Sequence, residues 1–218
     1  MATHLNGFFI TASDTNVGKT WIACQLIRHL LARGHSVSVR KPVESGCQLS
    51  VEGQMIPSDG NCLRDAAGNV EPLDIVTPFR YQAAVAPDRA ARLAGESIHI
   101  DQLYDAVLDQ YQDEDLLMVE GAGGFYSPLA EDGLNSDLAK KLGLPVIIVA
   151  PDRLGGINQA LLTLSAVEKE NLVVHAIVLN QNQATPDPDV DNLESLKKLS
   201  SVPVYYCGYG MTLESSIV

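Results

Sequence analysis

The chain has 218 residues, 46% of them apolar, and a formal net charge of −12 at pH 7. That is enough to bury one sizeable core, and a single α/β domain spanning residues 1–218 is expected. The acidic balance, with no Lys/Arg run, argues against a nucleic acid or an anionic membrane as partner, since like charges repel over about a Debye length. No apolar run approaches transmembrane length, and no basic stretch precedes an apolar one at the N-terminus, so a cytoplasmic location is expected. Cys24, Cys47, Cys62 and Cys207 are scattered without CxxC spacing, which fits a reducing compartment and no structural metal site.

Along the chain, short β-branched runs alternate with helical patterns. Gly7–Ala12 reads as an apolar strand that runs into Asp14-Thr15-Asn16-Val17-Gly18-Lys19-Thr20, and Trp21 opens a helical pattern stopped by Gly34. Ser36–Val43 follows as a strand ended by Pro42, then the least regular stretch, Glu44–Pro57, with Ser58-Asp59 at a helix start. Asp101–Gln112 puts Leu103, Val107, Leu108 and Tyr111 on one helical face. Leu116–Val119 is a continuous apolar run of the kind buried on both faces of a parallel sheet. A short helix at Leu138–Leu142 is stopped by Gly143, and Pro145–Ala150 is another buried strand. A helix from about Ile157 to Lys169 leads to a strand at Val173–Leu179 and a polar loop at Gln181–Asp189, which contains Pro186 and Pro188. A last helix near Leu193–Leu199 precedes a strand at Pro203–Tyr206. This alternation predicts a doubly wound, mostly parallel sheet flanked by helices and joined by right-handed crossovers.

Open parallel sheets bind ligands outside the carboxyl ends of their strands, and three predicted strand ends carry polar signatures. The first is the Gly18-Lys19-Thr20 turn. A strand turning through Gly-Lys-Thr into a helix cradles phosphates: backbone N–H groups and the helix dipole face them, the Lys ammonium reaches the terminal ones, and the Thr hydroxyl suits Mg²⁺. The strict pattern asks for Gly at Ser13, so the string alone does not match, although its strand-turn-helix context does. The second signature is Lys41-Pro42-Val43-Glu44-Ser45-Gly46; the third is Glu120-Gly121-Ala122-Gly123-Gly124. A carboxylate at a buried strand end beside a phosphate loop suits Mg²⁺, and the glycines after it let the backbone approach a ligand.

Taken in order, these segments resemble those of the dethiobiotin synthetase family, ATP-dependent enzymes that close the ureido ring in biotin synthesis. The likeness runs from the first strand to about Asn180. It implies a P-loop NTPase-like fold, ATP and Mg²⁺, and the substrates 7,8-diaminononanoate and CO₂. It also implies that Asn16, Val17, Gly18, Lys19 and Thr20, with Trp21 beside them and Glu120, Gly121, Ala122 and Gly123 opposite, bind the nucleotide. Lys41 would be catalytic together with Lys19; Thr20, Asp59 and Glu120 would hold the metal; Ser45 would contact the substrate. Asn180, Pro203, Val204 and Tyr205 would recognise the base. Gly155, Gly156, Ile157 and Asn158 would receive the substrate carboxylate across a homodimer, so that each site is shared between subunits.

Departures from the family pattern are Ala12 in place of Gly, Ala84-Val85-Ala86-Pro87-Asp88 in place of a Pro-x-Ser-Pro-His-like string, and the segment from Pro203 to Gly208. They leave open a degenerate homologue that binds nucleotide without turnover. A switch ATPase of the chromosome-partition or septum-placement kind is the other alternative, but such proteins carry a second lysine where this chain has Asp14. An amidotransferase-type synthetase would need a glutaminase domain for which the chain leaves no room. His4, His29, His35, His99 and His175 show no metal or triad spacing, and the Tyr205-Tyr206 pair reads first as packing, with stacking on a base as the alternative.

Overall fold

The computed structural model describes residues 5–185 and 191–218. His4 and the 186–189 half of the predicted polar loop lie outside the described residues; residues 182–185 of that loop are irregular and exposed. In chain order the elements are β1 (Gly7–Ala12), α1 (Lys19–Ala32), β2 (Val37–Arg40), β3 (Val43–Ser45), β4 (Gln48–Leu49), β5 (Met55–Ile56), α2 (Ser58–Ala66), α3 (Leu73–Val76), β6 (Phe79–Tyr81), α4 (Pro87–Leu93) and α5 (Ile100–Leu108). They continue with β7 (Leu116–Glu120), β8 (Pro128–Ala130), β9 (Gly133–Leu134), α6 (Asn135–Leu142), β10 (Val146–Pro151), α7 (Gly156–Lys169), β11 (Val174–Asn180), α8 (Asn192–Leu199) and β12 (Val204–Cys207).

Six strands form one parallel sheet in the order β12-β11-β10-β1-β7-β2. The apolar runs explain it. Along β10, Val146, Ile148 and Ala150 face one core, while Ile147 and Val149 face the other. Period-two side chains therefore enter two cores, and a strand covered on both faces must be apolar throughout. Helices α5 to α8 cover the first face; α1, α2 and the C-terminal residues Leu213 and Ile217 cover the second. So β1 sends the chain to one face, while its neighbours β7 and β10 send theirs to the other. The crevice at that switch, above the carboxyl ends of β1, β7 and β10, is where such folds bind ligands.

Several predicted boundaries move. The strand expected at Ser36–Val43 is two strands: β2 leaves the sheet after Arg40, and β3 pairs with β6 in a separate ladder. Pro42 has no N–H to continue the first ladder, and the break turns Lys41 inward. The helix expected to reach Gln112 stops at Leu108, where Asp109 is extended and Gln110 has φ 57°. The buried guanidinium of Arg40 takes the carbonyls of Val107 and Asp109 at that end (3.0 and 2.8 Å) and pairs with Glu71 (2.6 Å). Helix α6 begins at Asn135, earlier than its apolar residues suggest, because Asp137 accepts the N–H of Leu134 at 2.9 Å and caps the first turn. The irregular stretch Glu44–Pro57 contains the antiparallel pair β4–β5, and α3, β6 and α4 lie in a region with no sequence reading.

Candidate active site

The phosphate loop joins β1 to α1. Ser13, at the missing glycine, still donates its N–H to Val149 O (3.0 Å), so this position continues the strand and has no need of a left-handed backbone. Ala12 packs its methyl into the core beneath α1. The left-handed positions come later, at Asn16 (φ 57°) and Gly18 (φ 88°). A Cβ on Gly18 would run into the Asn180 amide, which sits there because its Nδ2 donates to Val17 O at 2.8 Å. Asn182 Nδ2 likewise donates to Asn16 O at 2.9 Å. The end of β11 thus pins the loop from outside through its carbonyls.

Five predicted side chains converge beside this loop. Glu120, buried at the end of β7, accepts from Thr20 Oγ1 (2.9 Å) and from Lys41 Nζ (2.6 Å) through the same Oε1. Lys19 Nζ lies 3.5 Å from that oxygen, and Lys41 Nζ also reaches Gly121 O (3.1 Å) and Asp59 Oδ2 (3.0 Å). Burial alone would lower the Lys41 pKa, but Glu120 and Asp59 outweigh it and hold the ammonium above its ordinary value. Burial, reinforced by the neighbouring Lys41 charge, lowers Lys19. For Asp59, burial works toward a higher pKa, but Lys41 prevails and holds the carboxyl below its ordinary value. Lys41 is a fixed cation in a pocket of mixed charge.

Cavities lie on both sides of the phosphate loop. One of about 200 Å³ is lined by Lys19, Lys41, Ser45, Asp59 and the backbone of Ala122 and Gly123. It opens into a larger one, about 480 Å³, whose far walls are Ala84 to Pro87 and Pro128. Ser45 borders both and donates its hydroxyl to Val85 O at 2.6 Å. On the other side of the loop a cavity of about 380 Å³ is lined by Gly18, Trp21, Asn180, Gln181, Asn182, Tyr209 and Gly210. A polar slot for phosphates between an apolar groove and an aromatic-edged cavity is an arrangement for a nucleotide and a second, partly apolar reactant.

Comparison with known proteins decides among nucleotide-using families. A family model described as an AAA domain matches residues 6–207. The ATP-dependent dethiobiotin synthetase BioD of Anaeromyxobacter dehalogenans is 40% identical over 186 residues, 85% of this chain and 81% of the relative. That of Ruthia magnifica subsp. Calyptogena magnifica is 37% identical over 200 residues, 92% and 90% of the two chains. The chain belongs to the dethiobiotin synthetase family. Among solved structures, the MinC:MinD cell division protein complex of Aquifex aeolicus matches with a TM-score of 0.54 at 15% identity, over 93% of this chain and 81% of that one. The signal recognition particle receptor FtsY of Elizabethkingia anophelis, in complex with GDP, matches with a TM-score of 0.53 at 15% identity, over 98% of this chain and 61% of that one. These two establish the P-loop NTPase fold alone.

Two groups of residues carried over from the family lie elsewhere. Val204 is buried in β12 opposite Ile177, and the Tyr205 hydroxyl points to Ser216 O; neither they nor Pro203 line the aromatic-edged cavity. The chain comes back to that cavity only at Tyr209 and Gly210, past the strand end. Tyr206 is a packing residue whose hydroxyl donates to Gln181 Oε1 at 2.6 Å. Gly155 (φ 84°) and Gly156 open α7, with Asn158 exposed and Ile157 half-buried, and none of the four lines the cavities that hold Lys41 and Ser45. Gly156 is itself a packing position, where a Cβ would strike Pro151 O.

Asn182 and Tyr209 had no site reading in the sequence, nor had two buried residues that support the site. Asn135, fully buried, accepts the Ala122 N–H through Oδ1 (2.9 Å) and donates to Ala122 O (2.6 Å) and Gly124 O (3.2 Å), fixing the glycine loop after Glu120. Glu44 is buried beside Asp59, and burial pushes its carboxyl above the ordinary value. A polar residue at the start of a helix is the only local signal for Asn135, and membership of the Lys41–Gly46 motif is the only one for Glu44.

Proposed function

We propose that the chain is an ATP-dependent dethiobiotin synthetase of biotin biosynthesis that works as one synthetase domain in the cytoplasm. It carboxylates 7,8-diaminononanoate with CO₂, phosphorylates the carbamate with ATP and closes the ureido ring with release of ADP and phosphate. The observation that carries the reading is the convergence of Lys19, Lys41, Thr20, Asp59 and Glu120 at the phosphate loop, where Lys19, Lys41 and Asp59 line one polar cavity.

Every charged species formed at the reacting centre on that path is anionic. One amine adds to CO₂ and loses a proton, giving a carbamate. The carbamate oxygen takes the γ-phosphoryl group, and the second amine then displaces phosphate. Positioned cations stabilise charge that develops in such transfers without reorganising. Lys41, held charged by its carboxylates and bordered by Ser45, faces the carbamate; Lys19 reaches the terminal phosphates from the loop. The walls at Ala84 to Pro87 would shelter the alkyl part of the diamine, and Trp21, Asn180 and Tyr209 would enclose the base. Asn16 to Gly18 and Gly121 to Gly123 present backbone to the phosphates.

The site fits Mg²⁺. Glu120 Oε2 is a buried carboxylate oxygen with no hydrogen-bond partner among the described residues, and Thr20, bonded to the other Glu120 oxygen, and Asp59 add hard oxygen donors. Thr20, Asp59 and Glu120 would hold the ion, which when bound supplies positive charge for the β- and γ-phosphates. We further propose a homodimer in which the first turn of α7, Gly155 to Asn158, receives the carboxylate tail of a diamine reacting in the neighbouring subunit.

The test is coupling. With ATP, bicarbonate and 7,8-diaminononanoate, the purified protein should release one ADP per ureido ring detected by mass spectrometry. ATP hydrolysis that continues at the same rate without the diamine, with no ring formed, would instead mark a nucleotide switch.

A further inference from the structure

We infer that Glu44 is a positioning residue for Asp59, setting the first turn of α2 so that the Asp59 carboxylate stands opposite Lys41 and Thr20. This rests on the reading of Asp59 as a Mg²⁺ ligand. Glu44 is 4% exposed in β3, yet both of its carboxylate oxygens are engaged. Oε1 accepts from Ser58 Oγ (3.2 Å) and from the N–H of Asp59 (3.0 Å); Oε2 accepts from the N–H of Gly60 (2.9 Å).

Those are the groups that an N-cap side chain would satisfy, and α2 has no such side chain of its own. The residue before it is Pro57, which makes no side-chain cap bond. A carboxylate from a distant strand performs the capping across space, and its charge suits the positive end of the helix. The turn is bounded from the other side too, since a Cβ on Gly60 would meet Thr77. One short segment therefore holds Asp59 at two points. Glu44 fixes its backbone, and Lys41, three residues earlier, takes its side chain at 3.0 Å. Glu44 also differs in kind from Glu120: both of its oxygens are engaged with protein, while Glu120 Oε2 has no partner among the described residues.

A buried acid that merely stabilised α2 would change thermal stability and nothing else, so the decisive readout is the Mg²⁺ dependence of nucleotide binding. Trp21, the single tryptophan, lines the aromatic-edged cavity and serves as a fluorescence probe for a non-hydrolysable ATP analogue. Glu44→Gln keeps the shape but turns one acceptor into a donor facing an N–H. It should raise the Mg²⁺ concentration for half-maximal analogue binding about 10-fold, in the range seen when groups that orient a metal ligand are lost. Asp59→Asn should raise it as well, and adding Glu44→Gln to Asp59→Asn should give no further rise, because the two act through one ligand. Ser58→Ala, which leaves the Glu44 carboxylate in place, should shift the midpoint in the same direction by less, and decides the matter if Glu44→Gln fails to fold. A midpoint within twofold of the parent for Glu44→Gln, or for Ser58→Ala where Glu44→Gln does not fold, while Asp59→Asn moves it, would overturn the inference alone. No movement with Asp59→Asn would overturn the metal assignment, and the inference with it.

Discussion

Lys41 is 2% exposed and still a cation, because Glu120 and Asp59 stand on either side of its ammonium. Those carboxylates offset its desolvation before any ligand arrives, so the charge is in place when a carbamate forms. Lys41→Ala should therefore lower kcat by about 10²–10³, the loss typical of one preorganised stabiliser of developing charge. Binding of a non-hydrolysable ATP analogue should stay close to normal, since Lys19 and the loop N–H groups remain; unchanged turnover at saturating substrates would remove Lys41 from the chemistry. Glu120→Gln should act differently, raising the Mg²⁺ concentration that activity requires, as a titration would show. These residues were legible in the sequence because each sits where a strand ends or a helix begins, with glycine or proline marking the break. Glu44 and Asn135 were not, since most of their partners are backbone groups of segments 15–16 and 8–13 residues away. Backbone groups leave no trace in composition or periodicity.

Elements were legible to the degree that burial dictated their composition. β1 was read at its observed bounds, and β7, β10 and β11 within a residue at each end, because strands buried on two faces admit little but apolar side chains. The segment carrying α3, β6 and α4 was not, because its elements are short and half-polar, and β6 pairs across more than thirty residues of sequence with β3. The early end of α5 is likewise a tertiary effect: Arg40, from the edge strand β2, binds the carbonyls that a longer helix would have used itself. Arg40→Met should cost about 3–5 kcal/mol in denaturant unfolding, because it leaves Glu71 and those carbonyls without their buried partner. A cost under about 1 kcal/mol would mean that water replaces the guanidinium. Asn135→Ala should cost less, about 1–3 kcal/mol for the stranded Ala122 groups, yet reduce turnover more than Arg40→Met does. Asn135 shapes the loop beside Lys41, whereas Arg40 lies at the sheet edge. Steady-state rates of the two variants, measured well below their unfolding midpoints, separate the roles.

For the whole molecule, the open matter is where the far end of the diamine goes. Within one chain the first turn of α7 lies outside the cavities that hold Lys41 and Ser45, although it has the makings of an anion site. Its first N–H groups follow Gly155, no acidic residue occupies the turn, and the helix dipole adds partial positive charge in a strongly acidic protein. Farther along α7, Leu162 is 63% exposed and borders a groove of about 450 Å³ with Tyr126, an apolar surface suited to a second copy of the chain. In a two-fold dimer each site would combine Lys41 of one chain with the Asn158 turn of the other. Complementation tests this directly. Gly156 is the wrong place to damage, since a side chain there would strike Pro151 O and disturb the fold. Asn158 is exposed, so Asn158→Glu sets a negative charge in the turn without crowding the core. Lys41→Ala and Asn158→Glu should each be nearly inactive alone. After subunit exchange, half of the dimers are mixed, and each mixed dimer has one intact and one doubly damaged site. About a quarter of the parent activity should then return. Verified exchange with no recovery, or a monomer that turns over normally at working concentration, would place the whole site within one chain.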